Sequence, residues 1–243
     1  MSHKSYFNWS GGKDSALALY HAMQDDGYTI EKLLTSINND HKRVSMHGVR
    51  ENLVVRQASS LEIPIQKLLL PEQASMAIYE QTMRDAIHPL IEEGYTHAIF
   101  GDIFLEDLRK YREEQLAKEG LEAVFPIWNR DTRALVREFI DLGFRAIVVC
   151  VNADCLNKSF AGRIIDEEFL NDLPPQVDPC GENGEFHSFV FEGPIFRSPI
   201  PYRIGEVVYQ EYKAPNKTGD DKDSTVSEFD SMGFWFCDLE EMN

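Results

Sequence analysis

Apolar positions in the first half of the chain switch repeatedly between a period near two and a period near 3.6. SYFNW (5–9) reads as a short strand, and Ala16, Leu17, Leu19, Tyr20 and Met23 then recur at helical spacing up to Asp26-Gly27. EKLLTSI (31–37) and PIQKLLL (64–70) read as strands, with HGVRENLVVRQASSL (47–61) as the helix between them. ASMAIYEQTMRDAIHPLIEEG (74–94) predicts a long helix ended by Gly94. HAIFGD (97–102) follows as a strand, LEDLRKYREEQLAKEG (105–120) as a helix and EAVFPIW (122–128) as a strand. Strands separated by helices pair in parallel, because the crossover that a parallel pair requires is what a helix supplies. The expectation is an α/β fold with a doubly wound, parallel, five-stranded sheet. Ligands on such sheets lie beyond the carboxyl ends of the strands, which is where residues 10–15 and FGDIF (100–104) fall.

The pattern changes after Trp128. DTRALVREFIDLG (131–143) reads as a helix and AIVVCV (146–151) as a very apolar strand. DPCGENGEFHSFVFEGPIF (178–196) is turn-rich and runs into strand alternation, EVVYQEY (206–212) reads as a hairpin arm, and FWFCDLE (234–240) closes a sheet. Between the last two, KAPNKTGDDKDSTVSE (213–228) is polar and aperiodic, the pattern of a mobile loop. The chain therefore divides into residues 1–128 and a smaller α+β domain at 129–243, with no internal repeat.

Bulk composition narrows the setting. At 243 residues and 43% hydrophobic content the chain can bury its core without disulfides or metals. Cys150, Cys155, Cys180 and Cys237 form no C-x-x-C pair, which fits a reducing cytoplasm. No apolar run approaches bilayer length and the first residues lack a signal-type core, so a cytoplasmic protein with no membrane partner is expected. Lys and Arg total 24 against 41 Asp and Glu, a net charge of −17. Such a surface repels a polyanion, so no nucleic-acid partner is expected and an RNA-modifying role is disfavoured. The one dense basic run is RKYR (109–112).

The turn Ser10-Gly11-Gly12-Lys13-Asp14-Ser15 carries more chemistry than a connector needs. Adjacent glycines let backbone N–H groups converge, and the helix start adds free N–H groups and the positive end of its dipole. A helix end contributes at most about 2 kcal/mol toward an anion, too little for several phosphate charges. Lys13 supplies a full charge. Asp14, which phosphates would repel, reads as a helix cap or as a Mg²⁺ ligand. The spacing is neither that of a P-loop nor that of a dinucleotide fingerprint.

SGGKDS after the first strand resembles the pyrophosphate loop of the N-type ATP pyrophosphatases, the PP-loop group of adenine nucleotide alpha hydrolases with a Rossmann-like, HUP-type sheet. SGGKDS, FGDIFLEDLRKYREE and DPCGENGEFHSFVFEGPIF together are similar to the diphthine–ammonia ligase family of ATP-binding proteins, from Phe7 to about Phe196. The resemblance implies a ligase using ATP and Mg²⁺, with the phosphates on residues 10–15, Lys13 and Asp14 in the chemistry and Asp14 on the metal. It also places adenine near Thr35 and Ser36 and adds His47, Gly101 and Asp102 to the nucleotide contacts, with Arg50 a further candidate. Asp102 is alternatively a cap for the helix at 105–120. Arg109 and Arg112, three apart on one helical face, could hold a carboxylate or phosphate. The competing reading is a solvated helix pairing with Glu106 and Glu113, and Glu113 itself matches the family pattern.

The late motif concentrates two glycines, two carboxylates, an amide and an imidazole in Gly181 to Ser188. Glu182, Asn183 and Gly184 are candidate acceptor contacts, and Glu185 and His187 candidate proton-handling groups; Cys180 reads as a packed thiol rather than a nucleophile. Family members carry E-G-G-E-[FY]-E, whereas this chain has Asn183 and His187 at the altered positions. The E-N-G-E-F-H form resembles a separate subgroup for which a role in cobalamin salvage has been suggested. The resulting expectation is an AMP-forming ligase that adenylates the carboxylate of a small molecule or protein and passes it to ammonia or an amine. Another PP-loop activity on a small metabolite and a non-catalytic ATP-binding regulator remain open, as does the oligomeric state, a homo-oligomer included.

Overall fold

The computed structural model describes residues 2–45, 47–71, 74–213 and 231–242. The elements of the first half run β1 (His3–Asn8), α1 (Lys13–Gln24), β2 (Tyr28–Asn38), β3 (Arg43–Val44), α2 (Glu51–Leu61), β4 (Ile65–Leu70), α3 (Met76–Glu92), β5 (His97–Ile99), α4 (Glu106–Lys118) and β6 (Glu122–Val124). Five strands pair in parallel in the order β4-β2-β1-β5-β6, and the two-residue β3 adds antiparallel to the far end of β2. The sheet is the expected one, with β3 as an unforeseen hairpin.

Alternation along the strands explains the two layers of helices. In β1, Phe7 joins Leu17 of α1 and Leu53 of α2 in one core, while its neighbour Tyr6 faces Ile87 of α3 and Leu116 of α4 in another. β2 divides likewise, with Leu33 and Ile37 on the first face and Leu34 on the second. Successive residues of a strand point to opposite faces, so each strand feeds both cores. The order of the strands reverses between β1 and β5, and this switch point brings the SGGKDS turn beside Phe100–Phe104.

The second half comprises α5 (Thr132–Asp141), β7 (Arg145–Asn152), a 3₁₀ turn at Lys158–Phe160, α6 (Glu167–Asp172), β8 (Phe186–Glu192), β9 (Tyr202–Lys213) and β10 (Ser231–Glu241). Its strands form an antiparallel sheet in the order β8-β7-β10-β9. β7 is the unbroken apolar run, buried along six successive residues because it has strands on both sides and cover on both faces. One hydrophobic cluster passes from Phe7, Leu17 and Leu53 into Ile147, Phe189 and Val190, so the antiparallel sheet packs onto the α1/α2 side of the parallel one.

Several boundaries shift for local reasons. β2 starts at Tyr28 because the ladder with β1 opens at the pair His3 and Tyr28. The helix expected from residue 47 starts at Glu51, since Gly48 takes φ +71° and the extended Arg50 is the N-cap. β5 ends at Ile99, before the Gly-Asp-Ile motif, and β6 ends at Val124 before a turn. The polar stretch at 213–228 lies, after its first residue, outside the described residues. Among the described residues no helix is long and apolar enough to cross a membrane.

Candidate active site

The turn between β1 and α1 is shaped by its glycines. Gly11 has φ +81°, a conformation that disfavours any Cβ, and an added Cβ would also lie 2.6 Å from Gln57 Oε1. Gly12 is the extended N-cap of α1 and has no side chain to satisfy the helix N–H groups. The Gly12 N–H donates to Ser10 Oγ at 3.2 Å, and the Ser10 N–H donates to Ser15 Oγ at 3.2 Å. Asp14 is not the cap; it sits in the first turn of α1 with its carboxylate 2.6 Å from Lys13 Nζ.

Lys13 is 3% exposed, yet it carries the charge of the site. Burial alone would favour the neutral amine, but Asp14 and the other acidic neighbours outweigh it and hold the ammonium above the ordinary lysine range. Lys13 Nζ also donates to the Cys180 carbonyl, and the Lys13 N–H donates to Ser188 Oγ at 3.1 Å. The late motif thus lies directly on the phosphate-type turn, across 175 residues of sequence. Nothing in the sequence signals Ser188 for such a contact, since its place one after His187 in the motif carries no periodicity that would point to it.

Two imidazoles cover the same turn. His47 stacks on His187 with ring centroids 4.5 Å apart, and its Nδ1 lies 3.3 Å from the Ser188 carbonyl. Burial is the main cause that lowers both; Lys13 adds to each, His47 adds to His187, and the Ser188 carbonyl partly offsets the shift of His47. His47 falls to about 4 and His187 well below the ordinary value, so both rings are neutral at pH 7. Arg50 is held away in an ion pair with Asp238 of β10 at 2.5 Å.

Glu182 links the late and middle motifs. Its Oε1 accepts the Ile103 N–H at 2.9 Å. Burial, then the nearby Asp14 and Asp102 charges, raise its pKa to about 7, against the opposing pull of that N–H and of Lys13. A carboxyl at that value exchanges its proton near neutrality, as general acid–base chemistry requires. Glu185 is placed differently. It is 5% exposed and accepts the Asp178 N–H, the Asn183 N–H and the Asn183 side-chain amide at 3.0, 3.0 and 3.2 Å. These bonds close the loop on itself, with Gly184 at φ +86° in the turn. Asp178, which periodicity does not reveal, braces the same loop by accepting the N–H groups of Cys180 and Glu182 and the Thr132 hydroxyl. Cys180 is 2% exposed and its thiol donates to the Thr132 carbonyl; burial pushes its pKa far up, which leaves it unreactive.

In the middle motif Asp102 does not cap α4, whose N-cap is Leu105. Asp102 instead pairs with Arg112, Oδ2 to Nε at 2.8 Å and Oδ1 to Nη2 at 3.3 Å, the second being the aligned hydrogen bond. The Arg112 guanidinium lies 4.4 Å from the Phe100 ring centroid. Arg109 pairs with Glu113 at 2.7 Å and stacks over Trp128 and Phe125. The two arginines therefore form no shared clamp. Gly101 presses on the start of α1, since a Cβ there would lie 3.0 Å from Ser15 Cα and N and 3.1 Å from the Asp14 carbonyl carbon. Because backbone must yield, Gly101→Ala is expected to cost about 1–3 kcal/mol and to weaken ATP binding, measured by thermal unfolding and titration. Unchanged values in both would show that the turn and the middle motif are not rigidly packed.

Thr35 on β2 is 2% exposed, and its hydroxyl has no hydrogen-bond partner among the described residues; Ser36 accepts the Ser45 N–H through its carbonyl. Among the described residues no group of three or more His, Cys, Asp or Glu side chains is arranged to hold a metal ion. Mg²⁺ is commonly held by one or two carboxylates together with substrate phosphates, and the partly exposed Asp14 is the carboxylate on the turn.

The Diphthamide synthase N-terminal domain model matches residues 3–123 and the Diphthamide synthase C-terminal domain model matches residues 131–214. The Diphthine–ammonia ligase of Schizosaccharomyces pombe is 24% identical over 232 residues, 84% of this chain, which spans 38% of that relative's length. Those of Danio rerio and Homo sapiens are 27% and 25% identical over 82% of this chain, covering 86% and 82% of their own lengths. With the two domain models matching ranges that include the turn at the switch point and the loop that closes over it, the chain belongs to the PP-loop diphthine–ammonia ligase family of ATP-dependent ligases.

Proposed function

We propose that the protein is an AMP-forming amide ligase that adenylates a substrate carboxylate and transfers the acyl group to ammonia or an amine. The observation that carries this reading is the buried, charged Lys13 at the Gly11-Gly12 turn, directly beneath the late motif. ATP places its phosphates on residues 10–15, with the adenine toward Thr35 and Ser36 on β2. Asp14 would hold Mg²⁺ together with the phosphates, where the ion neutralises part of their charge.

A substrate carboxylate oxygen attacks the α-phosphorus, the bond from that phosphorus to the bridging oxygen breaks, and pyrophosphate leaves. Lys13 and the N–H groups of the turn stabilise the charge gathering on the leaving group. The nitrogen lone pair of ammonia then attacks the acyl carbon, AMP departs, and the nitrogen loses a proton. Glu182, near neutrality and beside Lys13, is the better acceptor for it than His187 or His47, whose pKa values lie too low, or Glu185, whose carboxylate is engaged within its loop.

The relatives carry the name diphthine–ammonia ligase, which supports ATP and ammonia as co-substrates. A second reading, a small carboxylate-bearing metabolite in place of a protein-borne diphthine, is favoured by the neutral His187 stacked on His47, where family members have a glutamate. Incubation with ATP, Mg²⁺ and ammonium, adding either diphthine-bearing protein or a metabolite pool, is expected to yield AMP and pyrophosphate in equal amounts with one of the two acceptors. Formation of ADP and phosphate alone rules out the adenylation step.

A further inference from the structure

Gln57 lies on α2, outside the three motifs, and is 0% exposed. A fully buried amide is costly unless its polar atoms are satisfied. Here Oε1 accepts the Trp9 indole N–H at 3.0 Å, and Nε2 donates to the Gly11 carbonyl at 3.0 Å and to the Val190 carbonyl at 2.6 Å. The amide orientation follows from its partners, since an indole N–H only donates and a carbonyl only accepts. The Gly11 carbonyl takes a second bond from the Val190 N–H at 2.9 Å. One side chain thus joins the end of β1, the phosphate-type turn and β8, the strand that carries His187 and Ser188.

We infer that Gln57 is a positioning residue for phosphate binding, holding the Gly11–Gly12 peptide so that the Gly12 N–H faces the phosphate side of the turn. In a trans peptide the carbonyl and the following N–H point in opposite directions. Pinning the Gly11 oxygen against α2 and β8 therefore directs the Gly12 N–H away from them, toward Ser10 Oγ. Glycine at both positions leaves this peptide free to rotate unless something holds it. Rotation would replace a donor by a carbonyl oxygen, which repels phosphate.

The inference rests on the ATP-binding reading of the turn, and the two are separable by experiment. Titration of wild-type protein with ATP tests that reading; absence of binding overturns it and this assignment with it. Gln57→Met keeps the length of the side chain and removes its hydrogen bonds. ATP affinity is expected to fall about tenfold or more while adenosine affinity changes less than about twofold, because only the phosphates meet the reoriented peptide. Equal losses for both ligands, or no loss for either, overturn the assignment. Should Gln57→Met fail to fold, Gln57→Glu provides the second test. A protonated glutamic acid restores one donor, so its ATP affinity relative to wild type is expected to recover as pH falls from 8 to 6. A Gln57→Glu protein that tracks wild type throughout that range overturns it equally.

Discussion

Lys13→Met is expected to lower ATP-dependent pyrophosphate release by about a thousandfold, the upper end of the effect of removing one preorganised charge-stabilising group. Methionine retains the buried aliphatic stem but not the ammonium, which at 3% exposure faces Asp14 and the Cys180 carbonyl. The loss of a surface lysine's charge is softened by the screening of water, whereas at a buried site the medium screens little and the loss is felt more strongly. Asp14 is partly exposed and can be rehydrated, so the fold should survive. Quantifying AMP and pyrophosphate over single and multiple turnovers provides the check, with circular dichroism as the control for folding. Release within tenfold of wild type would mean that the turn is not where the pyrophosphate develops its charge.

Glu182→Gln should move stability and turnover in opposite directions. The folded-state pKa of Glu182 is raised from 4.5 to about 7. Between these values the unfolded chain has released this proton while the folded chain retains it, so stability present below pH 4.5 is lost as pH rises through about 7. Discounted for partial exposure, the loss above pH 7 is on the order of 2 kcal/mol. Glutamine carries no charge and can still accept the Ile103 N–H. In metal-free buffer at pH 8 the variant is therefore expected to melt higher by roughly 5 °C, and at pH 4 to match wild type. Turnover at pH 8 should drop about a hundredfold, and the rise of wild-type activity around pH 7 should vanish from the variant's profile. Equal destabilisation at both pH values would show that the Ile103 contact, rather than the buried charge, governs this position.

Much of the parallel sheet was legible because each strand feeds two cores and each helix only one, so the two periods appear cleanly in the apolar positions. The boundaries that moved are those set by contacts distant in sequence. β5 ends early because Gly101 must meet the backbone of α1, and α2 starts late because Gly48 takes a left-handed turn against Phe236 of β10. Of the candidate residues, those in SGGKDS were legible as a group, since adjacent glycines before a lysine at a helix start have a local electrostatic purpose. The separate roles within GENGEFHS were not. Glu182 and Glu185 differ by three positions and by nothing in type, yet one meets Ile103 across the switch point and the other closes its own loop.

From the amino-acid order alone came the α/β class, the phosphate-type turn and the family, because periodicity, turn glycines and short motifs are local properties of the chain. Tertiary structure alone decided that Lys13 is buried under the late motif, that Arg112 belongs to Asp102 and Arg109 to Glu113, and that Gln57 joins Gly11 to Val190. Which charge is desolvated, and which carbonyl receives a given donor, depends on what the fold brings within about 3 Å, a distance at which hydrogen bonds form and which sequence separation does not predict.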